Sequence, residues 1–179
     1  MKKFAFLLLL CFAFAFKILR SEPDQVVAEN AKVTFAVSHV SGTVTGTLTG
    51  LQGNVVFDEN NLAGSSMNVS LDANSVDTKN RARDSDLRDK KFFDVGTYPR
   101  VQFKSKEITK SGESFQVRGD LTIKDQTHEV LIPFKVTKQE NGRFFTGKFT
   151  LDRRDYNLGK SVFPPVGKTV DVTIEALVK

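Results

Sequence analysis

From Ala31 to the C-terminus the chain alternates apolar and polar residues with a period of two, and this pattern limits the fold more than any other feature. In an extended strand successive side chains point to opposite faces, so the alternation marks a sheet with one buried and one wet face. Val33, Phe35 and Val37 alternate with Lys32, Thr34 and Ser38, and Met67, Val69, Leu71 and Ala73 with Asn68, Ser70, Asp72 and Asn74. The pattern recurs at Val101/Phe103, Phe115/Val117, Leu121/Ile123, Val130/Ile132/Phe134/Val136, Phe145/Phe149/Leu151 and Val170/Val172/Ile174/Ala176/Val178. With the Thr-rich Val44 to Leu51 and the short Val55 to Phe57, at least eight strands are expected. Turn signals separate them: Asp58-Glu59-Asn60-Asn61, Lys110-Ser111-Gly112-Glu113, Asp125-Gln126 and Glu140-Asn141-Gly142. Asn-Gly between two alternating runs is a strong hairpin signal. Short strands joined by tight turns give an antiparallel meander, which closes into a barrel or pairs as a sandwich.

One segment breaks the rhythm. Residues 79 to 93 hold no β-branched residue, Gly or Pro, and Leu87 can share a helical face with Phe92 or Phe93. A helix is expected there, capped by Asp77 or Thr78, with Leu87 and Phe93 buried against a barrel opening. Residues 156 to 168, with Pro164-Pro165 and two glycines, are read as a long loop and a second rim element.

Met1-Lys2-Lys3 followed by the apolar run Phe4 to Phe16 has the layout of a secretory signal peptide. At about 13 residues the run is too short to cross a bilayer, which takes about 20. Ala13-Phe14-Ala15 supplies a small-x-small pattern, so residues 1–15 are read as a signal cleaved after Ala15, and the product as periplasmic or secreted; an uncleaved anchor is the alternative. Cys11 follows Leu9 and Leu10 where lipid modification needs small residues, so it is not read as a lipoprotein cysteine. It is the single cysteine, and its removal leaves no thiol for a disulfide or a metal. Loss of Lys2 and Lys3 lowers the net charge from +5 to +3. The most basic stretch, Lys79 to Lys91, is interleaved with Asp and reads as a solvated face, so no nucleic-acid partner is expected.

The chemistry-bearing residues are sparse. His39 and His128 are the two histidines, and neither has a ligand-type neighbour at metal-site spacing. No serine lies in a Gly-x-Ser-x-Gly elbow or a Ser-x-x-Lys setting. Asp84, Asp86 and Asp89 are spaced with Arg83, Arg88 and Lys90 for ion pairs on an exposed helix. No catalytic residue, cofactor or metal is assigned. The apolar inventory is richer: 16 Phe and no Trp, with 11 of the Phe after the N-terminal run. These residues either fill a barrel core or line a hollow one, since an eight-stranded barrel is just wide enough for either.

The stretch Arg83-Asp84-Ser85-Asp86-Leu87-Arg88-Asp89-Lys90-Lys91-Phe92-Phe93-Asp94-Val95-Gly96-Thr97-Tyr98-Pro99-Arg100-Val101-Gln102-Phe103-Lys104-Ser105 resembles the signature of the YceI-like family. Phe35 to Gly42, Gly46 to Gly53, Ser75 to Thr78, Gly119 to Lys124, Thr127 to Val130 and Arg154 to Tyr156 add to the resemblance, in order, across residues 30–179. It departs at Asp125 and Asn157, where members often carry Gly; both residue types tolerate positive φ. The resemblance implies an all-β, lipocalin-like, antiparallel eight-stranded β-barrel with one short helix, holding a polyisoprenoid, quinone or fatty-acyl lipid and touching the membrane transiently. It implies a hollow lumen lined by Phe35, Val37, Leu48, Val69, Leu71, Phe93, Val101, Phe103, Phe115, Val117, Phe134 and Phe149. Arg83, Arg88 and Arg154 are the rim candidates for a head group. The alternative is a filled barrel acting as an envelope stress or adaptor protein without ligand.

Overall fold

Among the described residues nine strand segments run in chain order as β1 (Asp24–His39), β2 (Gly42–Leu48), β3 (Gln52–Val56), β4 (Ser66–Asp72), β5 (Arg100–Ser111), β6 (Ser114–Ile123), β7 (Gln126–Gln139), β8 (Gly142–Asp152) and β9 (Val166–Val178). One α-helix, α1 (Arg81–Arg88), lies between β4 and β5. The computed structural model describes residues 24–160 and 166–179; the N-terminal run read as a signal, and part of the loop before β9, lie outside the described residues. Every pairing is antiparallel and follows chain order from β3 to β9, and β9 returns to pair with β1, closing the barrel. Closure leaves no free edge between first and last strands, which is how barrels avoid exposed ladders.

The nine segments form eight staves. The second half of β1 pairs with β2 from Val33↔Leu48 to His39↔Gly42, while its start pairs with β3 at Asp24↔Val55 and Gln25↔Asn54. So β2 and β3 are one strand, interrupted at Thr49 to Leu51. Past the break β3 pairs with β4, whereas β2 meets the following segment only at the bridge Thr47↔Asp77. The space that β2 leaves beside β4 is taken by the segment carrying α1.

The period of two places Phe35, Val37, Val69, Leu71, Val101, Phe103, Phe115 and Val117 on the inner side, as the alternation predicts. Two bulges change the parity along the way. Between Ser105 and Glu107 the ladder of β5 against β6 slips by one residue, so the inward position moves from odd-numbered Phe103 to even-numbered Ile108. A second irregularity separates Val26 from Ala31 on β1, both of which face the interior.

One end of the barrel is sealed by phenylalanine. Phe57 stands edge-on to Phe115, Phe134 and Phe145 at 5.0, 5.8 and 5.5 Å between ring centroids. Phe134 also stacks on Phe115 and on Phe145. Such edge pairs add about 0.5–1.5 kcal/mol each beyond area burial. Arg143 clamps this end, donating to the carboxylate of Asp24 and to the carbonyl of Phe57. At the hairpin beside it, Gly142 adopts φ +140°, and a Cβ there would lie 2.3 Å from the Val178 carbonyl oxygen.

The other end carries α1, which is shorter than the predicted 79–93. Its cap is Asn80, whose side chain accepts from the Arg83 amide at 3.1 Å, and not Asp77 or Thr78. Those two are committed elsewhere: the Asp77 carboxylate accepts from the Lys79 amide and ammonium, and the Thr78 hydroxyl donates to Asp84. The helix stops at Asp89, whose carboxylate accepts from the Lys91 amide in a local turn that competes with helix continuation. From there the chain winds through turns to Tyr98, with Asp94 at φ +48°. Leu87 and Phe93 do pack on the core, but both are half-buried, because their free sides face an internal cavity.

The two departures from Gly behave differently. Asn157 holds φ +55°, as its residue type allows. At the β6–β7 turn the left-handed residue is Lys124, at +58°, and not Asp125.

Candidate functional site: an apolar cavity inside the barrel

A cavity of about 600 Å³ occupies the barrel between the phenylalanine seal and α1. This is within the range of about 300–1,000 Å³ typical of small-molecule sites. Its floor is the inner face of Phe134 and Phe145, and its walls are the inward residues of every stave, chiefly Val, Leu, Ile and Phe. Asn80, Ala82, Arg83, Asp86, Leu87, Phe92 and Phe93 face it from the helical segment. The lumen is therefore hollow, and the filled core left open by the sequence does not describe it.

Glycine makes the hollow by letting rings lie against the wall. Phe35 faces Gly46 across the β1–β2 pair, and a Cβ on Gly46 would sit 2.3 Å from the ring's Cζ atom. Gly119 does the same for Phe103, with Cζ 2.6 Å from where a Cβ would be. Aromatic rings covering strand glycines are a known way of filling a sheet face without projecting far from it.

Of the residues predicted to line a lumen, Phe35, Val37, Leu48, Val69, Leu71, Phe93, Val101, Phe103, Val117, Phe134 and Phe149 border this cavity. Phe115 does not. It lies beyond the floor, stacked on Phe134, and borders a smaller cavity of about 350 Å³ at the sealed end with Asp24, Phe57 and Arg143. Alternation gives the face of a strand but not the depth along the barrel.

The rim arginines separate in the same way. Arg83 borders the cavity, donating from Nε to the Thr78 hydroxyl at 2.8 Å and from Nη2 to the Thr78 carbonyl at 2.9 Å. Arg88 does not border it; it ties α1 to the preceding loop, donating to the carbonyls of Asn74 at 2.9 Å and Val76 at 2.6 Å. Arg154 turns outward and forks onto the Asp152 carboxylate, which holds that carboxyl far below its ordinary range and raises the guanidinium. Its neighbour Arg153 is the one that faces the cavity. Arg153 is buried and donates to the carbonyls of Gly167, Leu158, Gly159 and Val166, and burial lowers its pKa. The inward series Phe145, Gly147, Phe149, Leu151 continues to Arg153, so the alternation itself held the signal that separates the two arginines.

The helical segment is fixed by a buried carboxylate. Asp84 accepts from the Thr78 amide at 2.8 Å and from its hydroxyl at 2.6 Å. Further latches run from Lys124 Nζ to the Lys90 carbonyl and from the Gly159 amide to the Lys91 carbonyl at 2.7 Å. The histidines sit apart: His39 borders the cavity with Nδ1 2.9 Å from the Ser41 hydroxyl, and His128 lies edge-on to buried Tyr156. Among the described residues no group of three His, Cys, Asp or Glu is placed to hold a metal ion.

Comparison with known proteins gives a consistent picture. The sequence model of the YceI-like domain matches residues 25–178. A UPF0312 protein of Yersinia enterocolitica is 32% identical over 143 residues, covering 76% of this chain and 74% of its own length. Among solved structures, BcnA of Burkholderia cenocepacia superposes with a TM-score of 0.80 at 25% identity, over 86% of this chain and 99% of its own. A polyisoprenoid binding domain from Saccharophagus degradans, implicated in plant cell wall breakdown, superposes with a TM-score of 0.71 over 88% of this chain and 98% of its own. At 17% identity that likeness speaks to the fold.

Proposed function

The chain belongs to the YceI-like family, and from that premise we propose that it is a carrier that binds an isoprenoid or another long-chain lipid inside its barrel. The observation that carries the reading is the cavity of about 600 Å³ walled almost entirely by aliphatic and aromatic side chains. Such a wall offers no hydrogen bonds along its length, so it suits a chain that asks for none. The polyisoprenoid binding domain that shares the fold supports the same class of ligand.

The driving force is the removal of apolar surface from water. A tail that buries on the order of 300 Å² gains roughly 7 kcal/mol at about 25 cal/mol per Å². Loss of ligand motion and ordering of side chains takes back part of that. Quinone and fatty-acyl lipids fit the same requirement as a polyisoprenoid. In this reading the protein carries out no catalytic step, is exported to the periplasm or beyond, and exchanges its lipid at a membrane through the helix end, opposite the phenylalanine seal.

Thermal unfolding with added ligand tests this directly. A ligand present at 100 times its Kd stabilises the folded state by about 2.7 kcal/mol, which is about 5–11 °C for a domain of this size. Delipidated protein should show such a rise with the twenty-carbon alcohol geranylgeraniol or with a long-chain fatty acid. The absence of any shift with either would favour the envelope adaptor.

A further inference from the structure

The barrel holds two cavities, and a partition of aromatic rings divides them. Phe134 and Phe145 border the larger one, of about 600 Å³, and Phe57 and Phe115 border the smaller one, of about 350 Å³. None of the four borders both, so the rings stand back to back. Val55 does border both, which makes the two spaces neighbours along one wall. Val56 and Val136 add apolar wall to the smaller cavity, and Arg143 closes that end through Asp24.

Phe134 is the ring that holds the partition. It stacks on Phe115 at 5.6 Å and on Phe145 at 6.0 Å between centroids, and Phe57 meets it edge-on at 5.8 Å. Across the β7–β8 pair it stands opposite Gly147, so no β8 side chain shares its level. Pro133 precedes it and fixes a backbone torsion beside it. The direction left free to the Phe134 ring is the larger cavity, and a tail that reaches the floor fills that space. A loaded floor is therefore held from both sides, with the rigidity of a packed core.

Each further methylene buried raises affinity roughly fourfold. The gain ends where the tail meets a wall that cannot yield. Resting on the lipid-carrier reading, we propose that Phe134 sets the longest tail the barrel accepts, and that the smaller cavity is a reserve closed off behind it. A shorter side chain at this position joins the two spaces and admits a longer tail.

Saturated fatty acids from lauric to behenic keep one head group and vary the tail alone. Each is titrated into delipidated protein, at concentrations where it is monomeric, by displacement of a bound fluorescent fatty acid. Wild-type affinity should climb by roughly fourfold per methylene and then level off or fall beyond one length. Phe134→Ala should move that break to longer acids by roughly four carbons or more, the room given up by a phenyl ring. Phe134→Leu, which keeps more of the packing, should move it the same way by less. Ile132→Phe, one inward position nearer the helix, puts a ring into the larger cavity and should move the break to shorter acids. Phe144→Ala removes a β8 ring that borders neither cavity and should leave the break in place. If Phe134→Ala does not fold, Phe134→Leu and Ile132→Phe carry the test in opposite directions. Wild-type affinity that climbs through behenic acid without a break would overturn the assignment of Phe134 and leave the lipid reading standing. So would a break that keeps its wild-type length in Phe134→Leu and Ile132→Phe. Binding of none of the acids to wild-type protein would remove both.

Discussion

Replacing Gly46 by alanine asks whether the lumen is hollow where it matters most. The new methyl carbon would lie 2.3 Å from Cζ and 2.7 Å from Cε1 of Phe35, and 2.8 Å from the Thr78 methyl. The Phe35 ring is free to move, but Thr78 is buried and its amide and hydroxyl are bonded to Asp84, so its methyl yields only with a local shift of the segment that carries it. To restore an ordinary carbon contact of about 3.5 Å the Phe35 ring must retreat by roughly 1.2 Å, and the free direction is into the cavity. Overpacking costs about 1–3 kcal/mol where no space exists. Here the ring has space, and alanine also recovers about 0.4–1 kcal/mol by stiffening the unfolded chain. With the Thr78 methyl also displaced, the expected net loss is about 1–2 kcal/mol, a drop of about 2–8 °C in Tm. The ring's new position narrows the lumen, so less lipid should be retained through purification. Calorimetric melting and lipid extraction of the two proteins side by side read both effects. A loss near 3 kcal/mol would mean that the ring has nowhere to go, and unchanged lipid retention would mean that it does not border the ligand path.

Other outcomes follow from the same geometry. Phe57→Ala removes the ring that holds three others edge-on at the sealed end, and should cost about 3–5 kcal/mol in denaturant unfolding. Leu87→Ala should cost less than the usual 2–5 kcal/mol for a buried leucine, because Leu87 is half-buried with one side on the cavity; a full-sized loss would place it in solid core. Burial pushes the Tyr156 hydroxyl up to about 12. Between about pH 10 and that value the folded state holds a proton that the unfolded state has released, so stability should fall as pH rises through this window. An ultraviolet titration should show the Tyr156 phenol ionising only well above pH 10.

Much of the architecture is legible in the sequence because a β-barrel writes itself into the chain one residue at a time. Alternation assigns Val69, Leu71, Val101 and Phe103 to the inside with no knowledge of the fold, and turn residues mark where staves end. What alternation cannot carry is position along the barrel axis. Phe115 and Phe103 look alike in the sequence, yet one lies behind the seal and the other lines the cavity. Bulges are equally silent: nothing around Lys106 announces that the inward parity changes before Ile108. The arginines show the opposite failure. The β8 pattern, carried two residues past Leu151, places Arg153 inside and Arg154 outside, although the strand itself ends at Asp152. The helix ends before the stretch its composition allows, because Asp89 and Asp94, though compatible with helix, bind local backbone amides or hold a left-handed φ that turns the chain instead.

Whether a lipid tail occupies this lumen can be read by native mass spectrometry of the protein purified gently from a bacterial host. A loaded barrel gives a population heavier than the bare chain, whose extra mass is lost on denaturation and recovered in organic extract as a molecule with a long hydrocarbon tail. A protein that carries no such mass, and that acquires none when refolded with geranylgeraniol, would contradict lipid occupancy of the lumen.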